Sequence, residues 1–184
     1  YKINNLSALI VKIIIKENQK DINDDIIITN QSPFYAESGG QIGDTGTIKN
    51  ENFLFEVTNT TKIFGKFILH HGVIKKGTCE INDEVKMKFN DIRRNYIRNN
   101  HSATHLLHAS LRLVLGKHVS QRGSLVSDQK LRFDFNHNKP IEEKQIIEIE
   151  KIVNDMIKQN DQINIKVIDY KLAISEGAMA LFGE

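Results

Sequence analysis

The chain has 184 residues, 40% of them hydrophobic, with a formal net charge of +2. That profile suits a folded chain with a real core, in one large domain or two small ones, and excludes a disordered one. The charge announces no nucleic-acid binding by itself, the single cysteine, Cys79, excludes an internal disulfide, and no run of about 18 apolar residues supports a membrane span.

Ile-rich runs at Ala8–Lys16 and Asp25–Asn30 read as strands, with a turn at Asp21-Ile22-Asn23-Asp24. The first run is too short for a membrane span and is broken by Lys12, and no signal peptide is visible; the single cysteine fits a reducing, cytoplasmic setting. A glycine-rich loop follows, Gly39-Gly40-Gln41-Ile42-Gly43-Asp44-Thr45-Gly46. Further strands are expected at Thr47-Ile48, Phe53–Asn59, Lys66–His70 and Val85–Asn90, with turns at Gly65, Gly72 and Gly77. Many short strands with glycine turns point to a small β-barrel over residues 1–90.

The second half changes character. Asp91-Ile92-Arg93-Arg94 begins a short helix, and Asn99-Asn100 reads as a break and a cap before a second helix that stops at Gly116. His118–Ser127 and Lys130–Asn136 read as strands around a turn at Asp128-Gln129. Pro140 opens a helix to about Asn160, with Ile141, Ile146, Ile149, Val153 and Ile157 as its apolar stripe. Ile163–Tyr170 reads as a strand and Leu172 onward as helix. The expectation is an α+β chain: a barrel over 1–90, then a two-layer α/β module of antiparallel strands and helices over 91–184.

The helix after Asn100 carries His101, His105 and His108. At about 100° per residue, His105 and His108 fall within about 40° of His101. Ala103, Leu107, Leu111 and Val114 gather opposite, so the histidines are expected to face away from the core. Two imidazoles four residues apart suit one metal ion. A lone helical histidine is more often packed or solvated; three on one face shift that balance, with His108 a neighbour rather than a ligand. No Glu follows His101, so the helix lacks the built-in base of a His-Glu-x-x-His protease.

Three ordered segments resemble the editing region of alanyl-tRNA synthetases: Ser32-Pro33-Phe34-Tyr35-Ala36-Glu37-Ser38-Gly39-Gly40-Gln41-Ile42-Gly43-Asp44, then Asn100–Gly116, then Gly116–Val126 with Leu131-Arg132-Phe133-Asp134-Phe135. The tail Gly177–Glu184 adds to the likeness, which covers nearly the whole chain. The resemblance implies hydrolysis of the ester in Ser-tRNA(Ala) and Gly-tRNA(Ala), with the acceptor end of tRNA(Ala) and the remainder of a synthetase chain as partners. It implies an ATP-dependent parent enzyme that ligates alanine to tRNA(Ala).

The resemblance also implies zinc, held by His101 and His105 together with a Cys-x-x-x-His pair that has no counterpart before Glu184. Two of four ligands are therefore expected here, and weak zinc binding with them; Cys79 does not match. Gln121 and Ser32 match residues of the editing pocket, Ser32 standing where the family usually has Thr. Their plainer readings are a polar strand residue and a turn residue before Pro33. Gly39 and Gly40 would let backbone N–H groups approach a substrate, with Glu37 and Gln41 flanking them; a barrel turn is the alternative. Arg93 and Arg94 are the preferred phosphate contacts because they lead into the histidine helix. Competing readings are a free-standing editing hydrolase, the editing domain of threonyl-tRNA synthetase, which the Phe34–Asp44 loop does not fit, and a non-catalytic tRNA-binding module.

Overall fold

The computed structural model describes residues 4–15, 25–162 and 167–177. They divide into two compact units, one within Tyr1–His101 and Leu125–Leu131, the other within Ser102–Ser124 and Arg132–Glu184.

In the first unit, β1 (Leu6–Ile14), β2 (Asp25–Thr29), β3 (Gly46–Lys49), β4 (Leu54–Ile63), β5 (Phe67–Lys76) and β6 (Glu84–Phe89) form a closed antiparallel barrel. Its order is β1-β2-β5-β4-β3-β6, with β6 pairing back onto β1. Closure leaves no sheet edge to pair with another chain. The period-2 alternation is plain in β6, where Val85, Met87 and Phe89 are buried and Glu84, Lys86 and Lys88 exposed. Ala8, Ile10, Ile27, Ile48, Phe53, Phe55 and Val57 complete this core, together with Phe34 from the loop after β2. The turn expected at residues 21–24 lies outside the described residues.

One glycine expected as a turn is not one. Gly65 and Gly77 have positive φ values of 65° and 68° and sit outside strands, but Gly72 lies inside β5. A Cβ at Gly72 would strike the Glu56 carbonyl on β4, next to the register shift between Val57 and Asn59. This glycine serves the close approach of two strands, not a change of direction.

The two helices expected around Asn99-Asn100 are one. Helix α1 runs unbroken over Asp91–Leu115. Asn is a mediocre helix former but no breaker, and the Asn100 side chain donates to the Ser127 carbonyl at 2.8 Å instead of capping. Gly116, at φ 115°, ends the helix as expected. The face assignment also changes. Arg94, Ile97, Thr104, His108 and Leu111 are buried and His101 is half-buried, while His105 is exposed. Their 3- and 4-residue spacing makes an inward stripe that includes two of the histidines. Leu107 and Val114 are partly buried as well, so α1 is covered on more than one side and a single apolar stripe could not locate its solvent face.

The second unit contains most of β7 (Gln121–Val126) and β8 (Leu131–Phe135), which pair as a two-stranded sheet, and helix α2 (Glu143–Gln159). Leu111, Val119 and Ile149 form its core, with Leu107, Val114, Leu115, Phe133 and Phe135 against them. Pro140 lies before α2 rather than in it; Glu142 caps the start of the helix, its backbone N–H donating to Gln145 Oε1 at 3.0 Å, and Asn160 caps its end in the left-handed region. Of the expected stripe only Ile149 is fully buried, and Ile146 and Ile157 are exposed. Contact with the core is made by the middle turns, so the ends of the stripe stay in solvent. The strand expected over 163–170 is not found where it can be seen. Residues 163–166 lie outside the described set, 167–169 are irregular, and Asp169 caps the short helix α3 (Tyr170–Ser175) by accepting from the Lys171 N–H at 2.8 Å. Strands and helices together make an α+β fold, and no described helix is long and apolar enough to cross a membrane.

Candidate functional site

The glycine-rich loop is held from both ends. Its first part is a tight hairpin in which Ser38 and Gln41 exchange backbone hydrogen bonds of 3.2 and 3.0 Å. The two residues between them, Gly39 and Gly40, have φ of 58° and 79°, the positive values a two-residue hairpin turn requires and a Cβ disfavours. The loop then pairs with the end of β7: the Val126 N–H donates to the Gly40 carbonyl at 2.8 Å, and Ile42 N–H to the Val126 carbonyl at 3.1 Å.

This pairing turns the Gln41 side chain inward, where it is 7% exposed. Its Oε1 lies 2.7 Å from His101 Nδ1 on α1. A carbonyl oxygen only accepts, so the proton of the neutral His101 ring sits on Nδ1 and the basic lone pair on Nε2. Residues 60 apart in sequence are thereby joined, and the ring is oriented as metal-ligating imidazoles commonly are, through their other nitrogen.

Asp44 anchors the far end of the loop. It is 1% exposed and pairs with Arg94 of α1, while also accepting from the Tyr35 N–H at 2.6 Å. Arg94 donates to the Pro33 carbonyl at 2.8 Å and lies 3.2 Å above the Phe89 ring. Its guanidinium is thus committed to the interior. Arg93 donates to the Gly43 carbonyl at 2.9 Å and sits 3.3 Å from Asp128 in a half-exposed setting. Glu37 is exposed, its carboxylate accepting from Asn59 Nδ2 at 2.8 Å.

Ser32 opens the same loop. Its Oγ is 2.8 Å from His70 Nε2 and accepts from the Phe34 N–H at 3.1 Å. His70 is fully buried on β5, its Nδ1 is 2.8 Å from the Ile27 carbonyl, and its ring meets Phe34 edge-on at 5.2 Å. Burial pushes the His70 pKa down to about 4.

Ser32, Glu37, Gly39, Gly40, Gln41, Arg93, Arg94 and His101 all lie in the first unit, where Gln41 meets His101, Arg93 meets Gly43 and Arg94 meets Asp44, while Ser32 meets His70 and Glu37 meets Asn59. His105 lies on the next turn of α1 and Gln121 begins β7, both in the second unit. His108 packs at 5.0 Å from the Phe133 ring with its Nε2 buried and no hydrogen-bond partner for that atom among the described residues. Burial lowers its pKa.

Sequence reasoning passed over His70 and the pairing role of Asp44. A histidine 38 residues from Ser32 carries no local signal, since only the barrel register, which sets Ile27 opposite His70, brings it there. Asp44 did have a signal: a carboxylate ending a glycine loop that needs a cationic partner. Among the described residues, one surface hollow of about 420 Å3 lies around Thr45, Leu54, Glu56 and Lys88, and another of about 870 Å3 around Leu115, His118, Phe135 and Gln145. Neither contains a sequence-predicted site residue, so the site is defined by its polar contacts.

The fit to zinc is partial. Among the described residues no three His, Cys, Asp or Glu side chains converge on a possible ion position. His101 and His105 lie one turn apart on α1, in different units, the first half-buried and the second exposed.

A family model described as tRNA synthetases class II (A) matches residues 2–93, half of the chain. The chain belongs to that family. Over 158 residues it is 52% identical to an alanine--tRNA ligase of Chelativorans sp. (strain BNC1) and 47% identical to an alanine--tRNA ligase of Mesorhizobium japonicum (strain LMG 29417 / CECT 9101 / MAFF 303099). Each match covers 86% of this chain and 18% of the relative, so the matched part spans under a fifth of those ligases.

Proposed function

We propose that this chain carries the editing site of an alanyl-tRNA synthetase, hydrolysing the ester of Ser-tRNA(Ala) and Gly-tRNA(Ala) in the cytoplasm. The parent protein would ligate alanine to tRNA(Ala) with ATP. The observation that carries the reading is the 2.7 Å junction of Gln41 with His101, which joins the Ser32–Asp44 loop to the histidine helix. Two segments that resemble the editing region separately form one constellation in the fold.

The chemical need is clear. One missing methylene is worth only about 1–3 kcal/mol of discrimination, so an alanine pocket admits glycine, and a small apolar pocket rejects an added hydroxyl weakly. A second site that recognises the wrong product supplies the rest. In this reading Ser32 Oγ reads the aminoacyl side chain, and the Gly39-Gly40 turn gives backbone N–H groups close access to the ester. Gln41 orients His101, Glu37 shapes the outer edge of the loop, and Gln121 contributes an amide from β7. Arg93 faces the acceptor-end phosphates, whereas Arg94, buried on Asp44, holds the loop to α1. His101 and His105 would hold zinc with donors beyond the described residues, and a bound zinc would supply a Lewis acid for the ester or a water.

The test is deacylation by the full-length ligase with Ser-tRNA(Ala), Gly-tRNA(Ala) and Ala-tRNA(Ala). Hydrolysis of the first two with Ala-tRNA(Ala) spared is expected. Equal hydrolysis of all three, or none by folded zinc-loaded protein, rules the reading out.

A further inference from the structure

The Ser32 hydroxyl has one proton and two lone pairs to distribute, and its neighbours leave little choice. The Ile27 carbonyl can only accept, so the buried His70 ring must place its proton on Nδ1, 2.8 Å away. His70 Nε2 is then a pure acceptor, and the Ser32 Oγ at 2.8 Å must give it its only proton. The Phe34 N–H, at 3.1 Å, occupies one Oγ lone pair. One lone pair remains, on a side chain that is half-buried rather than sealed.

We propose that His70 is a positioning residue that makes Ser32 an obligatory hydrogen-bond acceptor, so that Ser32 selects ligands presenting a small donor. A hydroxyl fits that chemistry; a bare carbonyl or a methyl group does not. The inference rests on the editing reading only for the identity of the ligand, where the donor is the seryl side-chain hydroxyl. A glycyl ester lacks that group and gains nothing from the arrangement. The low pKa of His70 agrees with an uncharged ring near neutral pH. An imidazolium would donate from both nitrogens and release the Ser32 proton outward, which inverts the preference. A Thr at position 32 would meet the same constraint, because only the hydroxyl takes part.

The polarity can be read without any activity. In the 184-residue chain with ¹⁵N-labelled histidine near pH 7, long-range ¹H–¹⁵N correlations should show His70 with a protonated Nδ1 and a pyridine-like Nε2. A protonated Nε2 overturns the proposal. In the full-length ligase, His70→Phe keeps the edge contact with Phe34 but removes the acceptor, and His70→Gln restores an oxygen near the Nε2 position. The Phe variant should lose about tenfold in kcat/KM on Ser-tRNA(Ala) relative to Gly-tRNA(Ala), a factor typical of one hydrogen bond, and the Gln variant should recover most of it. Equal losses on both esters in folded variants would show a purely structural role and overturn it. If the wild-type ligase hydrolyses neither ester, the editing reading fails while the nitrogen shifts still decide the polarity of Ser32.

Discussion

A neutral histidine sealed inside a barrel makes stability depend on pH. His70 has a folded pKa of about 4, against an ordinary value of 6.5. Between those values the unfolded chain binds a proton that the folded chain refuses, so stability is full above about pH 6.5 and declines as pH falls toward 4. The His70 contribution between roughly pH 7 and 5 is about 2 kcal/mol. His108 shifts in the same direction and adds to the slope. Denaturant unfolding over that window should show the decline, and His70→Gln should flatten it; an unchanged slope would mean His70 is charged in the folded state. Asp44 poses the opposite electrostatic problem. Its carboxylate and the Arg94 guanidinium are both nearly inaccessible, so removing one strands the other. Asp44→Ala is expected to cost about 3–5 kcal/mol, typical of a broken buried pair, measured by urea unfolding. A loss below about 1 kcal/mol, the range of surface pairs, would place Arg94 in water.

At the level of elements, the glycine-rich loop works because it is tightly tied. Gly43 shows how tightly: a Cβ there would overlap the Thr60 backbone and Asn59 Oδ1 on β4. Gly43→Ala should cost about 1–3 kcal/mol through overpacking. Gly65→Ala, with open space around it but φ at 65°, should cost about 1–2 kcal/mol from backbone strain alone. The two should separate in function: Gly43→Ala displaces the loop bearing Gln41 and lowers deacylation, whereas Gly65→Ala leaves turnover intact. Equal activity in both would detach the loop from the site. Strands were easier to read than helices for a physical reason. Strand β6 buries one face, so a period of 2 marks it, whereas β2 is buried on both faces over Ile26–Thr29 and shows as a continuous apolar run. Helix α1 is covered on more than one side, which blurs the period of 3.6 and reversed the expected direction of His101 and His108. Asn99 and Asn100 looked like a boundary because Asn caps helices locally, but the Ser127 carbonyl offers Asn100 a distant partner instead.

For the molecule as a whole, the open question is how much of a metal site 184 residues can hold. In the proposed reading His101 and His105 would be the donors from α1, and no convergent trio exists among the described residues. Both units have apolar cores built without any metal. The chain is therefore expected to fold metal-free, to bind zinc weakly, and to lose it on dialysis. Elemental analysis after dialysis checks this; one tightly held zinc per chain would show that further residues complete the shell. Alternation, turn chemistry and long motifs are local properties, so the barrel, the order of its strands along the chain, the glycine turns at 65 and 77 and the likeness to alanyl-tRNA synthetases were legible in the sequence. The tertiary fold alone sets Gly72 against β4, buries Arg94 on Asp44, joins Gln41 to His101 and places His70 beside Ser32. Those pairings span 16 to 60 residues of chain. They exist because barrel closure and loop pairing bring donors and acceptors within 3 Å, and no periodicity along the chain records which group a buried carbonyl or carboxylate will find there.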